Sequence, residues 1–231
     1  MSRKVVTRWR VLPDALAVRD HAVQCIAQAA AKALTERGAF HIVLAGGSTP
    51  RAVYQALAGL QTDWQNWHVY YGDERCLPPE HAERNSQTAM QAWLAHVPLP
   101  AVQHHVIAAE LGPERAAEQY AGAVAGVNFD LVLLGLGEDG HTASLFPGNP
   151  LGNEPGAADV LPVNNAAKPP AERVSLSVAC LSRSRQVVFL VTGAGKREAV
   201  ARWRAGEAVP AAQVGCESGV DVLLEQAALP T

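Results

Sequence analysis

The sequence predicts an α/β protein built on an open, mainly parallel β-sheet that is flanked by helices. Short apolar runs of strand length alternate with longer segments of helical spacing. Glycine-rich polar turns follow several of the apolar runs directly, as they do at strand ends in such sheets. The chain has 231 residues, 48% of them hydrophobic, which is enough for one sizeable core. We therefore expect residues 1–231 to form a single domain.

Strand and helix signals begin near the N-terminus. A strand is predicted at Val5–Leu12, and Asp14 is a suitable N-cap for the alanine-rich helix that follows. This helix reaches about Glu36, and Gly38 is its predicted stop.

Two more strand–helix pairs complete the first half. Phe40–Ala45 and Trp67–Tyr71 are short and apolar, which is typical of strands. Pro50 suits the first turn of the helix after the first of them. Asn85 is a candidate N-cap for the helix predicted to contain Trp93.

The second half starts with a predicted helix at Leu111–Ala125 and the most apolar strand, Phe129–Leu134. Residues Pro147–Pro170 are rich in Pro, Gly and Asn, which predicts a long loop with a short strand near Val160–Val163. Alternating apolar residues predict a half-buried strand at Arg173–Ala179.

The C-terminal part contains one further clear strand, Val187–Thr192, and a helix around Val200–Trp203. The segment Val220–Ala228 fits a strand or a helix, and its pattern does not choose between them.

Charge and cysteine usage exclude several classes of function. The net charge of −3 and the scattered basic residues argue against nucleic acid as a partner. No run approaches the roughly 18 apolar residues of a membrane helix, and we expect no secretory signal. The four cysteines form no CxxC pair and no zinc spacing with histidine. We expect a cytoplasmic protein, a monomer or a weak dimer, without a metal ion or cofactor.

Four polar clusters directly follow predicted strands: Gly46–Thr49, Asp73–Arg75, Gly135–His141 and Gly193–Lys196. In an open parallel sheet, ligands bind outside the carboxyl ends of the strands. We therefore expect all four clusters to meet at one edge of the sheet, which predicts a ligand site more strongly than any single motif.

The first cluster, Gly46, Gly47, Ser48 and Thr49, leads into a helix. Glycines let the backbone approach a ligand, and the amides of a helix N-terminus favour an anion such as phosphate. An ordinary glycine turn with a hydroxyl N-cap explains the same residues, so both interpretations stay open. The P-loop pattern GxxxxGK[ST] is absent.

The third cluster formally matches the GxGxxG pattern of dinucleotide sites at Gly135–Gly140. Glu138 and Asp139 would place negative charge beside a pyrophosphate, and three prolines between residues 147 and 155 interrupt the expected βαβ unit. A nucleotide cofactor is therefore not expected.

Asp139 and His141 lie on either side of Gly140. A carboxylate beside an imidazole can orient it and raise its basicity, and such a histidine can take a proton from water. We predict that His141 is a general base with Asp139 as its partner.

Other charged residues at the strand ends are candidates for binding. Arg75 could hold a phosphate or stabilise an oxyanion, and Asp73 could bind sugar hydroxyls or assist His141. A surface ion-pair cluster is the alternative explanation for Asp73–Arg75. Lys196 and Arg173 are candidate phosphate contacts.

Together these clusters resemble the 6-phosphogluconolactonase family, which shares its fold with glucosamine-6-phosphate deaminases. The matching segments are LAGGSTPRAVYQAL from Leu44, YYGDERCLPPEH from Tyr70, FDLVLLGLGEDGHTASLFPG from Phe129, RVSLSV from Arg173 and FLVTGAGKREAV from Phe189. The resemblance implies a three-layer, Rossmann-like fold of the deaminase/lactonase type. It also implies hydrolysis of 6-phospho-D-glucono-1,5-lactone to 6-phosphogluconate in the pentose phosphate pathway.

The resemblance further implies a set of functional residues. Those for catalysis are His141, Asp139, Asp73 and Arg75. Those for substrate binding are Gly46, Gly47, Ser48, Thr49, Asn85, Gly137, Gly140, Arg173 and Lys196.

Two residues depart from the family pattern: Arg84, where a small residue is frequent, and Glu225, where aspartate is common. Deaminases typically follow the histidine with an FNEP-type segment that carries an acid, whereas residues 143–147 read ASLFP here. That favours a lactonase over a deaminase or sugar-phosphate isomerase. A non-catalytic sugar-phosphate sensor is the second alternative, although it would not need Asp139 and His141.

Overall fold

The computed structural model describes residues 6–230, which form two β-sheets and seven α-helices joined by short 3₁₀ turns. The strands are β1 (Thr7–Leu12), β2 (Phe40–Leu44), β3 (Trp67–Tyr71), β4 (Asp73–Arg75), β5 (Leu131–Gly135), β6 (Val160–Val163), β7 (Arg173–Leu176), β8 (Val187–Val191) and β9 (Val220–Glu225). The helices are α1 (Ala15–Arg37), α2 (Ser48–Leu57), α3 (Asn85–Ala92), α4 (Pro113–Val124), α5 (Val178–Ser182), α6 (Arg197–Arg204) and α7 (Pro210–Gln213).

The larger sheet has six parallel strands in the order β1-β9-β8-β5-β2-β3. Strand β8 is buried along its whole length and β5 along nearly all of it, because central parallel strands are covered on both faces. Helix α1 packs across β9, β8 and β2 and against α2. The predicted open, mainly parallel sheet flanked by helices is confirmed.

The smaller sheet has three antiparallel strands in the order β4-β7-β6 and packs against α4. The sequence predicted a polar cluster after a strand at Asp73–Arg75 but no second sheet; these residues form β4 and pair with β7, as in Asp73 opposite Ser175. This sheet adds a wall beside the carboxyl ends of the larger one.

The boundaries of α1 follow from its caps. Asp14 accepts a hydrogen bond from the Ala17 amide at 2.8 Å, and Gly38 ends the helix in the left-handed conformation with φ of 75°. Both caps agree with the sequence prediction. The strand predicted before this helix begins at Thr7, and Val5 lies outside the described residues.

Strand β7 corrects the strand predicted at Arg173–Ala179. It ends at Leu176, and Ser177 then caps α5 by accepting a hydrogen bond from the Cys180 amide. All four residues of β7 are buried rather than alternately exposed. The strand is central in its sheet, between β4 and β6, and it packs against α4.

Asn85 is not the N-cap of its helix, and the helix is shorter than predicted. Arg84 takes the cap position without capping through its side chain, and α3 ends before Trp93. The Glu74 carboxylate accepts hydrogen bonds from the Asn85 and Ser86 amides at 2.8 and 2.9 Å. A carboxylate at a helix N-terminus is stabilising, so a residue from β4 serves as the cap.

The undecided segment at Val220–Ala228 is a strand followed by a 3₁₀ turn, since β9 pairs in parallel with both β1 and β8. Among residues 6–230, no helix combines the length and apolar character needed to cross a membrane.

Candidate active site

A cleft of about 380 Å³ opens at the carboxyl ends of β2, β3, β5 and β8. The four polar clusters that follow these strands meet there, as the sequence predicted. The lining includes these predicted site residues: Gly46, Gly47, Asp73, Arg75, Asn85, Gly137, His141, Arg173 and Lys196.

His141 lines this cleft and forms a close pair with Asp139, which is not itself part of the lining. Nδ1 of His141 lies 2.5 Å from Oδ1 of Asp139, and the His141 amide donates to the same oxygen at 3.2 Å. The ring of Phe146 packs against the imidazole at 4.6 Å between centroids. With Nδ1 bonded to the carboxylate, Nε2 is the nitrogen available to a substrate.

The glycines of the third cluster make this pair possible. A Cβ atom on Gly137 would lie 2.0 Å from Nδ1 of His141 and 2.6 Å from Oδ1 of Asp139, so no other residue fits. Gly140 has φ of 88°, and its Cβ would lie 2.8 Å from Val209. Gly140 does not line the cleft; it shapes the turn between Asp139 and His141.

The charge states of the pair suit proton transfer. Burial lowers the pKa of His141 below 6.5, and the Asp139 carboxylate partly offsets this effect. Burial opposes ionisation of Asp139, but hydrogen bonds from the His141 ring and amide outweigh it and hold the carboxyl pKa below its ordinary value. Near neutral pH the pair is therefore a neutral imidazole beside a carboxylate, which is a form that accepts protons.

Asp73 is buried and joins several parts of the site. Its Oδ2 accepts a hydrogen bond from the Ser144 hydroxyl at 2.6 Å, and its Oδ1 accepts one from Nδ2 of the Asn85 side chain at 3.0 Å. Oδ1 of Asn85 lies 2.0 Å from the position of a Cβ on Gly46. Gly46 must therefore be glycine because the Asn85 side chain lies directly against it.

Arg75 lines the cleft and donates a hydrogen bond to the backbone carbonyl of Glu83. Its neighbour Glu74 is fully buried and does not line the cleft. Glu74 lies 3.5 Å from Arg84, which also donates to Glu110 at 2.7 Å. Arg84, noted above as a departure from the family pattern, is thus a buried cation between the buried Glu74 and the exposed Glu110.

Arg173 is largely committed to the protein itself. Its Nε and Nη2 donate hydrogen bonds of 3.0 Å to the carbonyls of Lys168, Pro169 and Pro170. Its Nη1 lies 3.4 Å from the Ser144 hydroxyl and 3.9 Å from Asp73. Arg173, which the sequence predicted to contact phosphate, therefore also anchors the loop that precedes β7.

Lys168 lines the cleft and is absent from the sequence prediction. It is the one basic residue in the long loop Pro147–Pro170, and Pro169 and Pro170 follow it directly. The sequence did contain a signal for Lys168 as a site residue. It is a single cation beside two prolines, just before a strand that reaches the site.

Ser48 and Thr49 begin α2 and lie outside the lining of the cleft. Thr49 contacts Thr192 at 2.6 Å between hydroxyl oxygens, which links the first cluster to the residue just before the fourth. The Glu225 carboxylate accepts a hydrogen bond from the Gly193 amide at 2.7 Å and so supports the turn that carries Lys196.

The fold and this cleft define an α/β enzyme that acts on a small anionic substrate. The chain belongs to the glucosamine-6-phosphate isomerase/6-phosphogluconolactonase family, whose model matches residues 13–223.

Individual relatives agree with this assignment. The chain is 38% identical over 204 residues to a 6-phosphogluconolactonase of Synechocystis, covering 83% of this chain and 82% of that protein. It is 38% identical to a probable chloroplastic 6-phosphogluconolactonase of Oryza sativa subsp. indica, covering 75% of this chain but 58% of the rice protein. A crystal structure of a Thermotoga maritima 6-phosphogluconolactonase has 28% identity and a TM-score of 0.87, covering 96% of this chain and all of that one.

Proposed function

We propose that this chain hydrolyses 6-phospho-D-glucono-1,5-lactone to 6-phospho-D-gluconate in the oxidative branch of the pentose phosphate pathway. The observation that carries the proposal is the Asp139–His141 pair, held 2.5 Å apart in a cleft that also contains Lys168, Arg173 and Lys196. Family membership and the names of the relatives support the same activity.

Binding would place the reacting carbon at the imidazole. Backbone groups of Gly46 and Gly47 and the side chains of Lys196 and Arg173 hold the phosphate, since glycine turns and cations favour anions. The lactone carbonyl carbon, C1, then faces His141. Positioning of this kind supplies a large part of the rate enhancement.

The chemistry needs one proton acceptor. Nε2 of His141 takes a proton from a water molecule while the water oxygen attacks C1. Arg75 or a loop amide stabilises the resulting oxyanion. The C1–O5 bond then breaks, and O5 takes the proton from the imidazolium to become the 5-hydroxyl. The new carboxylic acid ionises, and His141 is neutral again.

The two alternatives fit the site less well. A deaminase or sugar-phosphate isomerase needs a further acid after the histidine, and residues 143–147 contain none. A non-catalytic sugar-phosphate sensor does not need a carboxylate–imidazole pair. Here the pair packs so closely against Gly137 that no side chain fits at that position.

We also propose that residues 1–231 act as one cytoplasmic catalytic domain, a monomer or weak dimer, without a metal ion, cofactor, nucleic-acid or membrane partner. The four cysteines form no disulfide, which fits a reducing compartment, and the net charge is −3. Activity should be unchanged after prolonged treatment with EDTA. Loss of activity that added Zn²⁺ or Mg²⁺ restores would contradict the metal-free proposal.

The test is a pair of assays on the purified protein. Conversion of the freshly prepared lactone to 6-phosphogluconate should be fast compared with its spontaneous hydrolysis, and no ammonia should be released from glucosamine 6-phosphate. Ammonia release would support the deaminase, whereas binding of both compounds without turnover would support the sensor.

A further inference from the structure

Glu138 lies between two lysines at the cleft. Its Oε2 is 3.8 Å from Nζ of Lys168, and its Oε1 is 3.1 Å from the position of a Cβ on Gly195, the residue before Lys196. Both lysines line the cleft, whereas Glu138 does not. This carboxylate belongs to the same turn as Asp139, but the catalytic pair does not use it.

The backbone that carries Lys168 is held firmly. Arg173 donates hydrogen bonds to three consecutive carbonyls, from Lys168 to Pro170, and the Ala166 amide donates to the Ala171 carbonyl at 3.0 Å. The Lys168 side chain itself is 48% exposed, and its one ion pair with another described residue is the long contact to Glu138. It can therefore move its ammonium group to another anion without rearrangement of the loop.

Glu138 offsets positive charge at both lysines. Burial and the nearby Lys168 lower the pKa of Lys196, and the carboxylates of Glu138 and, to a smaller extent, Asp139 counter this effect. A bound phosphate would bring about two negative charges at neutral pH, which is more than one carboxylate supplies. Phosphate and Glu138 would then repel each other while competing for the same cations.

We propose that Lys168 exchanges partners: it pairs with Glu138 in the free enzyme and with the substrate phosphate in the complex. Lys168 is then a phosphate-binding residue, and Glu138 is a competing anion that lowers affinity for phosphorylated ligands. When product leaves, the ion pair between Glu138 and the Lys168 ammonium group forms again. The inference rests on the proposed function, because it assigns the phosphate of that substrate to this side of the cleft.

A double-mutant cycle on ligand binding tests the exchange. Dissociation constants for 6-phosphogluconate and for unphosphorylated gluconate are measured by calorimetry on wild type, Lys168→Met, Glu138→Gln and the double variant. Lys32→Met is the matched control, because Lys32 is an exposed lysine of α1 outside the cleft.

Lys168→Met should weaken 6-phosphogluconate binding about ten-fold or more, the effect of losing a charge-assisted hydrogen bond. Glu138→Gln should tighten it about two- to five-fold, as expected from an exposed ion pair. In the Lys168→Met background, Glu138→Gln should have little further effect. Gluconate binding should change much less in each case, and Lys32→Met should match wild type.

Four results would overturn the inference. Lys168→Met could bind 6-phosphogluconate as wild type does, or it could lose both ligands equally, which would indicate a distorted cleft. Glu138→Gln could tighten binding equally with and without Lys168, which would place its action on Lys196. Wild type that binds no 6-phosphogluconate would also refute it. Wild type that shows the predicted cycle but hydrolyses no lactone would contradict the proposed function alone.

Discussion

Half-buried imidazoles occur in two different settings in this molecule. One is His141 at the cleft; the other is a histidine cluster, defined as His41, His68, His104 and His105, beside the edge strand β3. Burial lowers the pKa in both settings, to about 4 for His104 and His105. The difference lies in what each ring nitrogen contacts.

In the cluster, the imidazole rings stack on one another. His68 stacks on His41 at 4.6 Å, and its Nδ1 lies 3.2 Å from Nε2 of His105. Nε2 of His104 lies 2.6 Å from the Tyr71 hydroxyl. Asp130 is the carboxylate near His41, but its oxygens accept from the His41 amide and from Arg37 rather than from the ring.

The comparison shows that burial alone lowers the pKa of a histidine and keeps the ring neutral, but does not make it a general base. His141 differs because a carboxylate fixes one nitrogen and stabilises the protonated ring during the reaction. The cluster has stacking and neutral hydrogen bonds, which stabilise the fold only while the rings carry no charge.

The largest expected contrast is between His141→Ala and His105→Ala. Loss of the general base should lower kcat at least 100-fold, whereas His105→Ala should keep most of the activity. The measurement is lactone hydrolysis at pH 7.5, corrected for the spontaneous rate, with far-ultraviolet circular dichroism to verify folding. A folded His141→Ala variant with near wild-type kcat would show that His141, like the cluster histidines, is not the general base.

Gly137→Ala should be almost as damaging, because the new methyl group would occupy the place of Nδ1 of His141. We expect kcat to fall 10- to 100-fold or more, as the pair must separate. Gly122→Ala is the control, since a Cβ on this glycine of α4 meets no atom within 4 Å. Equal activity of the two variants would show that the turn tolerates displacement of the pair.

Asp139→Asn should change both the rate and its pH dependence. In wild type, activity should fall as pH is lowered through the pKa of His141, which lies below 6.5. Asp139 raises that pKa, so its removal should shift the acid limb of kcat to lower pH, while the plateau falls roughly 10- to 100-fold. An acid limb that moves to higher pH would contradict the assigned role of the carboxylate.

The smallest expected effect concerns stability and the histidine cluster. The folded pKa values of His104 and His105 are about 4, whereas the unfolded chain takes up protons below about 6.5. Their contribution is therefore fully present above pH 6.5 and is lost as pH falls toward 4. His104→Gln should make the decrease in Tm between pH 6.5 and pH 4 smaller by a few degrees.

Because carboxylates also titrate in this range, the informative quantity is the difference between wild type and His104→Gln. The glutamine retains a group that can bond the Tyr71 hydroxyl, which limits other losses. Parallel curves of Tm against pH would show that His104 is not part of the acid response.

Local signals in the sequence predicted most of the fold and part of the site. Asp14 and Gly38 marked the ends of α1 because caps depend on neighbouring residues. Strands were predicted at β6 and β7, but β4 was missed because Asp73 pairs with Ser175, about a hundred residues away. For the same reason the cap of α3 was assigned to Asn85 instead of Glu74.

The site shows the same limit. The role of Gly137 depends on the space that the Asp139–His141 pair occupies, which a GxGxxG pattern does not reveal. Arg173 appeared as a free cation in the sequence, yet three of its hydrogen bonds support the loop that carries Lys168. Roles that depend on contacts between distant segments required the three-dimensional structure.

The most direct test is the structure of the complex with 6-phosphogluconate. We expect the carboxylate at C1 to lie within hydrogen-bond reach of Nε2 of His141, and the phosphate to contact the Gly46–Gly47 backbone, Lys196, Arg173 and Lys168. A complex in which the phosphate lies against His141, with C1 at the lysines, would contradict the proposed reaction.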